Sequence, residues 1–235
     1  MKVDSLWPQL LNGLFPPRCC LCQWASGNDL PLCRDCRSEL AANTLACQRC
    51  ALPLPRPGIC GRCQREPPAF DRVIAPWLYS DCFAHLIHLW KFSGRDDLTP
   101  LLAQLWLDGA REPGDIDLVV PVPLHWRRLW QRGYNQSQLL ADRLVCKLPA
   151  TRVHPRLLVR RRATAPQSGM DARARAHNLR GAFTVRLPCD NLRIAVVDDV
   201  LTTGATAREA ARTLKSAGAR HVELWCLART PAPGH

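Results

Sequence analysis

An α/β fold is what the sequence predicts: a parallel sheet flanked by helices, preceded by a small cysteine-rich module. Three observations carry this. Short apolar, β-branched runs recur ahead of helical stretches, the pattern of strands buried on both faces and joined by helical crossovers. One such run, within residues 193–206 (RIAVVDDVLTTGAT), ends in paired carboxylates and a turn of small residues. Four C-x-x-C pairs stand together ahead of all these runs. A chain of 235 residues has room for one α/β domain, assigned to 69–235, and a small module, assigned to 1–68.

The module is organised by Cys19/Cys22, Cys33/Cys36, Cys47/Cys50 and Cys60/Cys63. Each pair can place two thiolates on one ion, and two pairs complete a tetrahedral four-cysteine zinc site. The intervals are ten residues between the first two pairs and nine between the last two, which suits zinc-ribbon loops. Two sequential structural sites are the favoured arrangement and an interleaved one is the alternative. Cys20 lacks the two-residue gap to Cys22 that Cys19 has, and is left out. The segment has many prolines and few large apolar residues, so it needs a metal staple to fold. A redox-active dithiol is the competing reading. Cys82, Cys146, Cys189 and Cys226 are isolated and read as core residues.

The formal charge is +12. Eight thiolates on two Zn2+ lower it to about +8. That surplus still favours polyanionic partners. The first twenty residues are broken by Pro8 and Asn12 and carry no small-residue cleavage site. No apolar run has the length of a membrane span, so a soluble, cytoplasmic protein without membrane insertion is expected.

In the α/β domain, residues 70–80 alternate and read as a strand. Residues 82–92 read as an amphipathic helix, and 98–107 as a second. His85 and His88 lie three apart on the first helix, and without a third ligand they are ordinary helix residues. Residues 117–124 (DLVVPVPL) form a buried strand. The loop after it carries Arg127, Arg128 and Arg132, then Gly133, Tyr134, Asn135 and Gln136 as a helix opens. A strand end, a glycine, cations and a helix N-terminus together suit a phosphate group.

Residues 194–197 form the central strand, followed by Asp198 and Asp199. Thr202, Thr203, Gly204, Ala205 and Thr206 make the turn, and residues 207–219 the next helix, with Gly218 just past its end. Backbone N–H groups at that helix start form an anion site, and the threonine hydroxyls add donors. The two carboxylates can then accept hydrogen bonds from vicinal ribose hydroxyls. No lysine follows the glycine, so this is not a Walker A loop.

The most basic stretch is 156–183. It holds Arg156, Arg160, Arg161, Arg162, Arg173, Arg175 and Arg180. A solvated hairpin, a lid over a phosphorylated ligand and an arm on nucleic acid all remain open for it.

The run VVDDVLTTGAT resembles the phosphoribosyl-pyrophosphate (PRPP) motif of type I phosphoribosyltransferases. Together with the cysteine pairs, VPVPL and RGYNQ, the marks Gln167, Arg175, Asn178, Ala182 and Phe183, and the final LART, it is similar to the ComF family over nearly the whole chain. The resemblance implies a double zinc ribbon and a type I phosphoribosyltransferase-like domain linked to DNA uptake or use of external DNA. It implies that Asp198 and Asp199 hold ribose and that residues 202–206 hold the 5′-phosphate. It further implies that Pro123, Arg127, Arg132, Gly133, Asn135 and Gln136 grip pyrophosphate with Mg2+. Gln167, Arg175 and Asn178 fall on a flexible loop. PRPP or a ribose-5-phosphate compound is the implied ligand, with single-stranded DNA and DNA-processing proteins as further partners. Thr202 stands where purine-salvage enzymes have an acid that can act as base, which argues against 6-oxopurine transfer. A phosphoribosyltransferase and a non-catalytic nucleotide- or DNA-binding protein both stay open.

Overall fold

The computed structural model describes residues 17–110, 113–124, 126–148, 151–161 and 179–232, and only the backbone of residues 127, 128 and 131. Two short helices lie in the cysteine module, α1 (Arg34–Ser38) and α2 (Gly61–Arg65). The edge strand follows in two pieces, β1 (Arg72–Ile74) and β2 (Trp77–Leu78). Next come α3 (Asp81–Phe92), α4 (Thr99–Gly109) and β3 (Leu118–Pro121). After β3 stand α5 (Trp126–Arg132), α6 (Gln136–Val145) and β4 (Arg152–Val153). The remainder is β5 (Leu158–Arg160), β6 (Phe183–Val185), β7 (Arg193–Leu201), α7 (Ala205–Ser216) and β8 (His221–Arg229).

The main sheet runs β1-β8-β7-β3-β4, with β2 also on β8, and every pair is parallel. Strand β7 lies between β8 and β3, and alternate residues serve opposite faces. Ile194 and Val196 pack with Ala207, Ala210, Ala211 and Leu214 of α7. Ala195 and Val197 pack with Leu86, Trp90, Leu105, Trp106 and Leu140 of α3, α4 and α6. Covering both faces explains the unbroken apolar run, because no residue from 194 to 197 is left for water.

Strand β7 is longer than the four apolar residues suggest: it carries both aspartates and ends at Leu201. Residues 126–132 differ from the expected loop. They hold no helix breaker and form α5, which stops before Gly133 at φ +78°. Cys189 and Cys226 are buried as expected. Cys146 is not a core residue. It is exposed at the end of α6, where its thiol donates to the Asp142 carbonyl at 3.2 Å.

The cysteine module packs directly on the sheet edge. Leu78 N–H donates to the Ala41 carbonyl (2.8 Å), Asn43 N–H to Pro76 (2.7 Å) and Asn43 Nδ2 to Ala75 (3.0 Å). Cys19, Cys20, Leu32 and Leu40 join the apolar cluster of α3 and α4. The pair β5–β6 is antiparallel and brackets residues 162–178, so Gln167, Arg175 and Asn178 lie outside the described residues.

Gly218 closes α7 at φ +99°, and a Cβ there would stand 3.1 Å from Asp190 Cα and on top of its carboxyl. Gly218→Ala should therefore lower stability by more than about 1 kcal/mol, read as a lower urea midpoint at unchanged slope.

Candidate functional site at the ends of β3 and β7

Along the chain β3 leads outward to β4, whereas β7 leads the other way to β8. Strand order therefore reverses between β3 and β7, and an open parallel sheet has its crevice at the carboxyl ends of such a pair. A cavity of about 470 Å3 opens there, lined by Tyr79, Lys91, Val122, Leu124, Arg132, Arg160 and residues 198–207. That is the size of a small-molecule site.

Asp199 shares its strand parity with Ala195 and Val197, so it faces α3. Its Oδ2 meets Lys91 Nζ at 2.6 Å, with both side chains less than one-fifth exposed. Lys91 lies in the last turn of α3, where a cation also suits the helix dipole. Asp198 Oδ1 accepts from Asp199 N–H (2.9 Å) and Ser137 Oγ (3.4 Å). Burial, and then the neighbouring Asp199 charge, push the Asp198 carboxyl up to about 7; the Asp199 N–H, Lys91 and Ser137 work against this.

Past Leu201 the chain turns through Thr202 and Thr203 to Gly204, which caps α7 at φ +74°. The first N–H groups of this 12-residue helix have no intrahelical acceptor. With the positive end of the dipole they can receive an anion beside the two carboxylates. Thr203 Oγ1 accepts only weakly from Ala205 N–H, at 3.4 Å. Thr202 is exposed, and Thr203 and Thr206 are half-buried.

On the β3 side, Arg132 reaches the cavity with its guanidinium 4.9 Å from the Phe92 ring centre, and it donates to Gln136 Oε1 at 3.3 Å. Gly133 makes the turn. Asn135 caps α6 by accepting from Ser137 N–H (3.1 Å), and its Nδ2 donates to the Val122 carbonyl (3.1 Å). Gln136 is buried, and its Nε2 has no partner among the described residues. Pro123 is half-buried beside the cavity, and the Arg127 side chain lies outside what is described. Lys91 and Tyr79 escaped the sequence reading, because each sits on an element with no motif of its own, and Ser137 escaped it although it directly follows Gln136. Only the parity of β7, together with the packing of α3 on that face, brings Lys91 to Asp199.

The eight paired cysteines form two groups, Cys19/Cys22/Cys33/Cys36 and Cys47/Cys50/Cys60/Cys63, each with its sulfurs within 4.8 Å of one another. Pairing is thus sequential. Cys22 and Cys33 sulfurs lie 3.7 Å apart, and those of Cys50 and Cys60 3.6 Å. A tetrahedron with Zn–S bonds of about 2.3 Å has edges of about 3.8 Å, so both groups fit Zn2+. Cys36 N–H donates to Cys33 Sγ (3.4 Å) and Cys60 N–H to Cys47 Sγ (3.3 Å), as suits thiolates. No open coordination position is left, so bound metal here supplies structure rather than chemistry.

Comparison with known proteins agrees with this arrangement. The double zinc ribbon domain family matches residues 10–64. The DNA utilization protein YhgH of Salmonella typhimurium is 37% identical over 223 residues, covering 92% of this chain and 98% of that one. The chain belongs to the ComF family. Competence protein F of Haemophilus influenzae, another relative, is 31% identical over 179 residues, or 72% of this chain and 78% of its own. Among solved structures, a purine phosphoribosyltransferase from Pyrococcus horikoshii Ot3 aligns over 59% of this chain and 75% of its own, at 16% identity and a TM-score of 0.34. Among the described residues, no helix is long and apolar enough to cross a membrane.

Metal analysis of protein prepared without chelator should find about two Zn2+ per chain. Cys47→Ser should cost solubility or folding, and Cys146→Ser should shift stability by less than about 0.5 kcal/mol. Absence of zinc would contradict the ribbon. Asp198 holds its proton more tightly in the folded chain than in the unfolded one, where a carboxyl titrates near 3.9. Stability is therefore lost as pH rises from about 4 to about 7, and the cost stays constant above that. Asp198→Asn removes this cost, so its gain in Tm should grow from about pH 4 to about pH 7 and then level off. A gain that shrinks over that interval would contradict the assignment.

Proposed function

We propose that the cavity binds a ribose-5-phosphate compound, PRPP above all, in a cytoplasmic protein that serves DNA uptake or use. One observation carries this: two carboxylates and a free helix N-terminus share one cavity at the strand-order reversal. A phosphate on the amides of residues 203–206 sets the sugar back toward the strand end, within reach of Asp198 and Asp199. Lys91, Arg132 and Arg160 also line the cavity and supply positive charge for a pyrophosphate group. Mg2+ accompanies PRPP as its counter-ion. The names of the relatives support the DNA-related role.

For turnover, an acceptor nitrogen forms a bond to ribose C1 while the C1–O bond breaks and pyrophosphate leaves with the electron pair. The chain's part is to hold the ribose and to stabilise the growing negative charge on the leaving group. In the ligand-free chain Lys91 neutralises Asp199. Ribose hydroxyls arriving at Asp199 compete with that ion pair, which frees the ammonium for the pyrophosphate.

A second reading, binding of single-stranded DNA without turnover, is favoured by exposed aromatics on the helix that carries Arg132 to the cavity. Trp130 is 89% exposed and Trp126 62%, both on α5, which ends at Arg132. Such rings stack on unpaired bases, and arginines neutralise phosphates.

Calorimetry with PRPP and Mg2+ should show binding, weakened about tenfold to a hundredfold in Asp199→Asn, the cost of a charged hydrogen bond at roughly 1.5–3 kcal/mol. Gly204→Val should do worse, since the left-handed φ of +74° excludes a β-branched residue. Unchanged affinity in both would move the ligand elsewhere. Pyrophosphate release with a panel of bases then separates transferase from binding protein. Binding of a labelled oligonucleotide should fall with salt at a slope of roughly −0.7 per phosphate contact, and Trp130→Ala should weaken it by about 1 kcal/mol or more. No binding at low salt would remove the DNA reading.

A further inference from the structure

Arg229 ends β8 with only 8% of its surface exposed. Its Nε and Nη1 meet four main-chain carbonyls, with the two hydrogens of Nη1 shared among three of them. Nε reaches Cys50 O (3.1 Å), and Nη1 reaches Leu201 O (2.9 Å), Thr202 O (2.6 Å) and Thr230 O (2.7 Å). One guanidinium therefore ties a ligand cysteine of the second tetrad to the start of the 202–206 loop. Arg208, in the first turn of α7, donates from Nη2 to Thr203 O at 2.7 Å. Its guanidinium also stands within 4 Å of where a Cβ at Gly204 would be, so it braces the loop from the α7 side.

These bonds decide where the loop's N–H groups point. A trans peptide is planar, with C=O and N–H opposed. Drawing the Thr202 and Thr203 carbonyls toward the two arginines aims the N–H groups of Thr203 and Gly204 away from them. The arginines also need compensation. A buried guanidinium is costly without negative charge nearby, and carbonyl dipoles supply only part of it. Four thiolates on Zn2+ carry a net charge of −2, whereas four thiols carry none. A loaded tetrad would supply such counter-charge beside Arg229, whose Nε is bonded to the carbonyl of the ligand Cys50. The first tetrad packs instead with α3 and α4, on the opposite face of the sheet from α7.

We propose that Arg229 is a positioning residue that couples metal at Cys47, Cys50, Cys60 and Cys63 to the shape of the 202–206 loop, which Arg208 braces at Thr203 from α7. Zinc at the second tetrad is then required for anion binding there, and zinc at the first is not. The consequence for ligand affinity rests on the PRPP reading above. The coupling itself does not, so two readouts separate them.

The first readout is hydrogen exchange of the Arg208 and Thr230 amides, which donate to the Gly204 and Leu201 carbonyls on either side of the loop, in the full-length, ligand-free protein. Arg229→Met should accelerate it about tenfold or more while zinc stays at two per chain. Arg208→Met should act in the same direction, and Arg229→Lys should restore protection only in part, lacking the planar fork. Cys60→Ser should accelerate it too, and Cys22→Ser should not. The second readout is PRPP affinity by calorimetry, expected to fall about tenfold or more in Arg229→Met. Unchanged exchange in Arg229→Met would overturn the coupling, as would equal acceleration from Cys22→Ser. Because the arginine variants keep both metal sites, the test survives any failure of a cysteine variant to fold. Altered exchange in the arginine variants of a protein that binds no PRPP would support the coupling and defeat the ligand reading.

Discussion

A parallel sheet buried on both faces leaves only its strand ends for chemistry, and this constraint organises the molecule. Ala195 and Val197 serve one layer of helices, and Ile194 and Val196 the other. Where the apolar run stops, the next two positions inherit the same alternation but carry carboxylates. Asp199 follows that parity to Lys91 of α3, whereas Asp198, on the α7 parity, reaches past the strand end to Ser137 of α6. The site is the continuation of the core by other residue types.

The same constraint sets the electrostatics. Two adjacent carboxylates at a half-buried strand end cannot both be comfortable as anions. One is held by an ammonium at 2.6 Å, and the other has its titration pushed up to about 7. Beside them the N-terminus of α7 and the arginines make a positive wall. Opposed charges a few ångströms apart, kept from collapsing by helix and strand backbone, suit a ligand with hydroxyls at one end and phosphates at the other.

What was legible in the sequence follows from locality. Residues 193–219 encode strand, acids, turn and helix in one continuous stretch, and the C-x-x-C pairs encode their sites by spacing. Sequential pairing, left open by spacing, follows from the fold, because each half of the module closes on itself. Lys91 and Arg229 were not legible. The first acts 108 positions from Asp199, and the second reaches Cys50 across 179. Such contacts exist only after β8 and α3 have packed on β7. The helical character of 126–132 was masked by its arginines, which suggested an open basic loop. Cys146 looked like core because cysteine usually is, yet it follows the last apolar position of α6.

The most direct test of the central claim is a crystal structure with PRPP and Mg2+ bound. The account predicts the 5′-phosphate on the amides of residues 203–206 and the ribose hydroxyls on Asp198 and Asp199, with Lys91 drawn off Asp199. A ligand bound away from the ends of β3 and β7, or a ribose making no contact with either aspartate, would contradict it.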